Sequence, residues 1–227
     1  MKRKRRNELQ RLAKVLGIDA YTSSFLDIAS QVETLHDNKR KTLVSLCEDA
    51  LSDRRGRSQE QVRVAAVKVL VALFPITWKN IASWLKRDSE RSLYEVHFSL
   101  FCFLDQVPQL KGASGFEFRV PELVENYLKE VKAESAHAAW MAGDLLGDHW
   151  EAETALSVLS KTSQRAQFAA GRLGAIHGLS HLLSRLKSPK RIATLQLLRL
   201  ISENDRSKKV RDSAKLVLEH SPENQTF

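Results

Sequence analysis

The 227 residues carry 36 Lys and Arg against 27 Asp and Glu, a formal net charge of +9, and 43% of them are hydrophobic. That apolar share is near the globular norm and excludes wholesale disorder, while no apolar run approaches the roughly 18 residues of a membrane span. Two lone cysteines, Cys47 and Cys102, exclude a disulfide framework or a CxxC zinc site and fit a reducing compartment.

The chain opens on MKRKRRNELQ, a basic cluster of Lys2, Arg3, Lys4, Arg5 and Arg6. It leads into an amphipathic segment and not the apolar core of a secretory signal. Such a cluster suits a nucleic-acid or ribosome-contacting arm, a nuclear import signal in a eukaryote, or a solubilising tail. It has no interleaved aromatics, which speaks against specific recognition of single-stranded bases.

Apolar residues then recur at helical spacing. Leu9, Leu12, Val15 and Leu16 mark a first helix; Phe25, Ile28, Ala29 and Val32 a second; Leu43, Leu46, Cys47 and Leu51 a third. After the polar break SDRRGRS, the run SQEQVRVAAVKVLVALF has Ser58 as N-cap and Pro75 as stop. TWKNIASWLKR and DSERSLYEVHFSLFCFLDQV follow, the latter apolar on much of its circumference. With two prolines and two glycines, PQLKGASGFEFRVP reads as an extended loop between an N-terminal half, 1–107, and a regular half, 121–222.

Beyond Pro121, helices are predicted at about 121–132, 134–147, 151–160, 163–174, 176–186, 189–203 and 207–219. Connections this short imply antiparallel neighbours. AGDLLG (142–147) is echoed by AAGRLG (169–174), giving a period of roughly 27 residues, in the range of helical repeats. Here the sequence resembles the HEAT-repeat family, particularly its short bacterial variety, whose units commonly read V-R-x-x-A-x-x-x-L. Val210, Arg211, Ala214 and Leu218 match that pattern, with Asp205 where the family often has an aspartate. Val62, Arg63, Ala66 and Leu70 match it too; Ala138, Ala142 and Leu146 match its apolar positions; Ala166 and Ala170 do so with Gly174 in place of the leucine. The resemblance implies an all-α, right-handed α-solenoid of stacked antiparallel hairpins, acting as a non-enzymatic scaffold in the cytoplasm.

The stretch AWMAGDLLGDHW sets Trp140 and Asp144 one helical turn apart, with Asp148 and Trp150 just beyond. HEAT-like DNA glycosylases that remove alkylated bases use an aspartate near tryptophans, since an indole face and a carboxylate both favour a cation. The bland alternative divides these residues between core and surface. HGLSH places His177 and His181 four apart on a helix, without the glutamate of a zinc-protease motif and with no third ligand in view. No catalytic set, metal site, cofactor or small-molecule substrate is therefore expected, and no nucleotide-binding or hydrolase motif occurs.

Charge is uneven. Residues 122–153 hold eight acidic and two basic residues, whereas 154–215 hold thirteen basic and three acidic. Arg165, Lys190, Arg191, Lys208 and Lys209 are expected in the first turns of three successive helices, with Arg211 beside them. There the free backbone N–H groups would support an anion-binding ridge. The expected partner is a protein, at least partly acidic; DNA or RNA is the alternative, and a membrane is not expected.

Overall fold

The computed structural model describes residues 2–52, 60–74, 76–88, 94–107, 116–132 and 136–221. Among the described residues every regular element is a helix, so the chain is all-α. None of these helices is long and apolar enough to cross a membrane. The chain divides into two compact units, Met1–Asp88 with Glu95–Phe116, and Ser89–Tyr94 with Glu117–Phe227.

The first unit contains α1 (Lys2–Leu16), α2 (Phe25–Thr34), α3 (Asp37–Ser52), α4 (Glu60–Ala72), α5 (Trp78–Asp88) and α6 (Tyr94–Gln106). The basic cluster at residues 2–6 lies within the first turns of α1. At the end of that helix Gly17 takes φ +81° and its N–H donates to Ala13 O, the left-handed cap that glycine provides without steric cost. α2 begins with a capping box: Ser24 Oγ accepts from Asp27 N, and the Asp27 carboxylate accepts from Ser24 N. α4 is the central element. Val62, Ala65, Ala66, Val67, Val69, Leu70 and Val71 are all buried, so its whole circumference is covered, with α1, α2, α3 and α5 packed against it. Its Lys68 still finds partners, because Nζ donates to Tyr21 O and Ser23 O. Ser58 and Pro75, read as the cap and stop of this helix, lie outside the described residues.

Between α5 and α6, the Trp84 ring meets the buried His97 ring edge-on, with centroids 5.5 Å apart. Burial, aided by the Arg63 charge, lowers the His97 pKa from 6.5 to about 4. The unfolded chain therefore binds an extra proton between those values. Stability is full above pH 6.5 and falls as pH drops toward 4, by roughly 3 kcal/mol. Urea titrations from pH 7 to pH 4.5 should show this loss, and His97→Gln should flatten it; an unchanged slope in the variant would remove His97 as its source.

The second unit contains α7 (Phe116–Glu130), α8 (Ala136–His149), α9 (Ala152–Arg165), α10 (Ala169–Leu183), α11 (Ser188–Asn204) and α12 (Lys208–Glu219). Three expectations are corrected here. First, α7 starts at Phe116, inside the stretch predicted as an extended loop to residue 120, with Pro121 in its interior. Val120, Leu123, Val124, Tyr127, Leu128 and Val131 form a buried stripe at spacings of three and four. That burial outweighs the one backbone hydrogen bond a proline removes.

Second, the helices predicted at 163–174 and 176–186 do not exist as such. α9 runs on to Arg165, and α10 continues unbroken through Gly174 to Leu183. Glycine ends a helix by adopting positive φ, and Gly17 is the one described residue that does so. Gly174 keeps helical dihedrals because its missing side chain serves packing. Third, of the residues matched to V-R-x-x-A-x-x-x-L, Ala166 is the C-cap of α9 while Ala170 and Gly174 lie in α10, so that match spans two elements.

α10 is the hub of this unit. Ala170, Gly171, Arg172, Gly174, Ala175, Ile176, Gly178, Leu179, Leu182 and Leu183 are buried, and α8, α9, α11 and α12 pack around it. α7 approaches so closely that a Cβ on Gly171 would overlap Leu128 O.

Candidate functional site

The contact between α8 and α10 is made by backbone. A Cβ on Gly143 would overlap the Gly174 carbonyl oxygen and lie 2.9 Å from its carbon; one on Gly178 would come within 2.8 Å of the Gly143 carbonyl carbon. Gly174 meets Ala139, and Gly147 meets Gly178 and His181, in the same way. Because the partner numbers rise together, the two helices run in the same direction. Such a seam brings the side chains flanking the glycines into direct contact. Asp144 follows Gly143, Asp148 follows Gly147, and His177 precedes Gly178.

Asp144, Asp148, His177 and His181 form one cluster. His177 Nε2 lies 3.2 Å from Asp144 Oδ1, His181 Nε2 lies 3.5 Å from the same oxygen, and His181 Nδ1 lies 3.0 Å from Asp148 Oδ1. The ligating atoms of Asp144, His177 and His181 all fall within 4.8 Å of one another. The Asp144 carboxylate raises the His177 pKa against the opposing effect of partial burial. Asp144 Oδ1 is sealed from solvent, yet neither imidazole aims an N–H at it well enough for a hydrogen bond. A line of rings continues outward, with Trp140 5.4 Å from His177 and His137 5.0 Å from Trp140.

The chain matches no family model, no curated protein and no solved structure.

The tryptophan–aspartate stretch is thus split in an unexpected way. Trp150 is buried and Asp148 is exposed, while Trp140 is 38% exposed above a half-buried Asp144. Trp140 and Asp144 share a face, as one helical turn requires, but the carboxylate is directed at two histidines. The absence of a third donor beside HGLSH, expected from sequence, is corrected: Asp144 stands where that donor would be.

The predicted basic ridge does not form as a single line. Arg165 belongs to the last turn of α9, not the first turn of a helix. Lys190 lies in the first turn of α11, as expected, but pairs with Glu153 at the start of α9. A 14-residue helix is about 20 Å long, so Arg165 and Lys190 sit toward opposite ends of it. Arg191 is half-buried in that same first turn of α11. Lys208 and Lys209 open α12 and are exposed, while Arg211 donates to Asp205 O.

A narrower basic surface survives at the Arg165 end. Arg165, Gln164, Leu197, Leu200, Asn204 and Arg206 line a groove of about 560 Å³. Leu200 is 59% exposed there, and Arg206 is held across the groove by donating to Gln167 O. Arg206 carries no signal of this kind in the sequence, because it precedes the start of α12. Beneath the groove Arg172 makes a two-pronged pair with Asp205, Nε to Oδ2 at 2.7 Å and Nη2 to Oδ1 at 3.1 Å.

Proposed function

We propose that the second unit is a short HEAT-like stack that binds an acidic, partly apolar segment of a partner protein. In this reading α8 with α9 and α10 with α11 are antiparallel hairpins, α12 opens a third, and the stack continues as a right-handed solenoid. The side-by-side packing of α8, α10 and α12 supports it. So does burial of Val210 and Ala214, two positions of the V-R-x-x-A-x-x-x-L pattern.

The groove between Arg165 and Arg206 carries the binding proposal. Its rim is cationic and its wall presents Leu197, Leu200 and Ile201. Apolar side chains of a partner would displace water from that wall, while carboxylates would meet guanidinium groups in charge-assisted hydrogen bonds. A bare polyanion leaves the exposed Leu200 without a counterpart, so an amphipathic acidic peptide fits better than a phosphate backbone.

Fluorescence anisotropy separates the two. A labelled amphipathic Glu/Leu peptide should bind the full chain, and Arg165→Glu or Leu200→Asp should each weaken it about tenfold or more. Arg206→Glu should act in the same direction. Duplex DNA supplies the other arm. Binding of DNA with a steep logarithmic salt dependence, unaffected by Leu200→Asp, would replace the peptide reading with nucleic-acid recognition. Indifference of the peptide to all three variants would end the groove assignment.

A further inference from the structure

We propose that Asp144, His177 and His181 form a binding site for a divalent transition-metal ion of the zinc type, with Asp148 holding His181 in its ligating tautomer. This goes beyond the peptide-binding reading and does not depend on it.

The donor set comes first. Two imidazole nitrogens and one carboxylate oxygen suit zinc, cobalt, nickel or copper; magnesium and calcium prefer all-oxygen surroundings. Spacing comes second. Zinc–nitrogen and zinc–oxygen bonds of about 2.0–2.1 Å at tetrahedral angles set neighbouring donors about 3.3 Å apart. The separations of Asp144 Oδ1 from the two Nε2 atoms, 3.2 and 3.5 Å, bracket that edge.

Protonation is the third argument. Asp148 Oδ1 at 3.0 Å fixes the proton of His181 on Nδ1, the arrangement in which an outer carboxylate orients a metal-ligating histidine. A cation held between His181 Nε2 and Asp144 Oδ1, 3.5 Å apart, would bond to both. The state of Asp144 Oδ1 agrees: it is shielded from solvent and receives no hydrogen bond. A carboxylate oxygen shielded from water is stable only where a cation or a donor satisfies it.

An ordinary Asp–His ion pair explains less. It accounts for one imidazole on Oδ1, whereas two lie within 3.5 Å of it, those of His177 and His181. The scaffold is also rigid. His177 and His181 are four apart on α10, hence on one face, and the glycine seam fixes α8 beside them. With the two histidine side chains 39% and 36% exposed, the fourth coordination position opens to solvent, and Trp140 walls one side. Three protein ligands and an open position describe a site that holds water or a partner's donor group, not a closed structural zinc.

The test uses the full chain, free of any histidine tag and stripped by a chelator. Titration with Co²⁺ should saturate at one equivalent with the intense visible absorption of tetrahedral cobalt, and Zn²⁺ should displace it. His177→Ala and His181→Ala should each weaken zinc binding about 100-fold or more, Asp144→Asn likewise, and Asp148→Asn by about 10- to 100-fold. His149→Ala and His220→Ala should leave it unchanged. X-ray absorption of the zinc-loaded wild-type chain gives a readout that needs no variant: two imidazoles with oxygen at about 2.0–2.1 Å. Cobalt that remains octahedral, saturation that survives His177→Ala, or a shell with sulfur or a single imidazole would overturn the site.

Discussion

Gly143→Ala should destabilise the second unit by about 3 kcal/mol, although alanine is the better helix former by about 1 kcal/mol. The added Cβ would lie 2.0 Å from the Gly174 carbonyl oxygen and 3.1 Å from Gly178 N. Backbone cannot rotate away as a side chain can. The helices must move apart by about 1.5 Å to restore ordinary carbon–oxygen contact, and overpacking of this kind costs about 1–3 kcal/mol, occasionally more. Separation also loosens the contacts of Ala139 with Gly174 and of Gly147 with Gly178 along the same seam. One displacement relieves several overlaps, so Gly143→Ala and Gly178→Ala should combine to less than their sum. Gly17→Ala is the contrast: no atom lies within 4 Å of its added Cβ, and the cost is the positive φ alone, about 1 kcal/mol. Urea unfolding followed by circular dichroism ranks these variants. Equal losses for Gly17→Ala and Gly143→Ala, or strict additivity along the seam, would refute a rigid backbone contact.

The helical class was legible because buried stripes such as Val120–Leu123–Val124–Tyr127 follow from side-chain spacing alone. Boundaries failed where a residue's role depended on a distant neighbour. Gly174 looks like a terminator until the Ala139 carbonyl is known to lie against it; composition within α10 does not reveal that partner. The same failure misplaced Arg165, since an α10 that starts late leaves Arg165 at the end of α9. The cluster at Asp144 was half visible. Asp144 and Asp148 are four apart, His177 and His181 are four apart, and each aspartate lies 33 residues before its histidine (177 − 144 and 181 − 148). Two donor pairs at one offset, each on a helix carrying Gly-x-x-x-Gly, are a detectable signal once the helices are known to run side by side. Judged one at a time, HGLSH lacks a third ligand and Asp144 lacks a purpose. The basic surface was predicted in kind but not in place, because charge counts along the chain do not show that Lys190 reaches Glu153.

Arg172→Met should cost about 3–5 kcal/mol, the range for leaving one member of a buried ion pair uncompensated. Arg172 and Asp205 side chains are 3% and 9% exposed, and the guanidinium also donates to Ala166 O at 2.9 Å, so it joins the start of α10 to both the α9 C-cap and the α11 C-cap. Asp205 has a second duty, accepting from Ser207 N at 2.7 Å to cap α12, whose own N-cap serine makes no side-chain bond. Asp205→Ala should therefore lose the pair and the cap together and cost at least as much. Arg172→Lys keeps the charge but not the planar fork, so it should recover only part of the loss. The double replacement Arg172→Met/Asp205→Leu decides between a pair and two separate contributions. Removing both charges ends the desolvation penalty of each, so the double variant should be less destabilised than the two single costs summed, by about 2 kcal/mol or more. It should still fall short of wild type, because Ala166 O and Ser207 N lose partners that no apolar side chain replaces. A coupling near zero would mean that Arg172 acts through the Ala166 carbonyl alone. In that case the aspartate would matter only as the cap of α12.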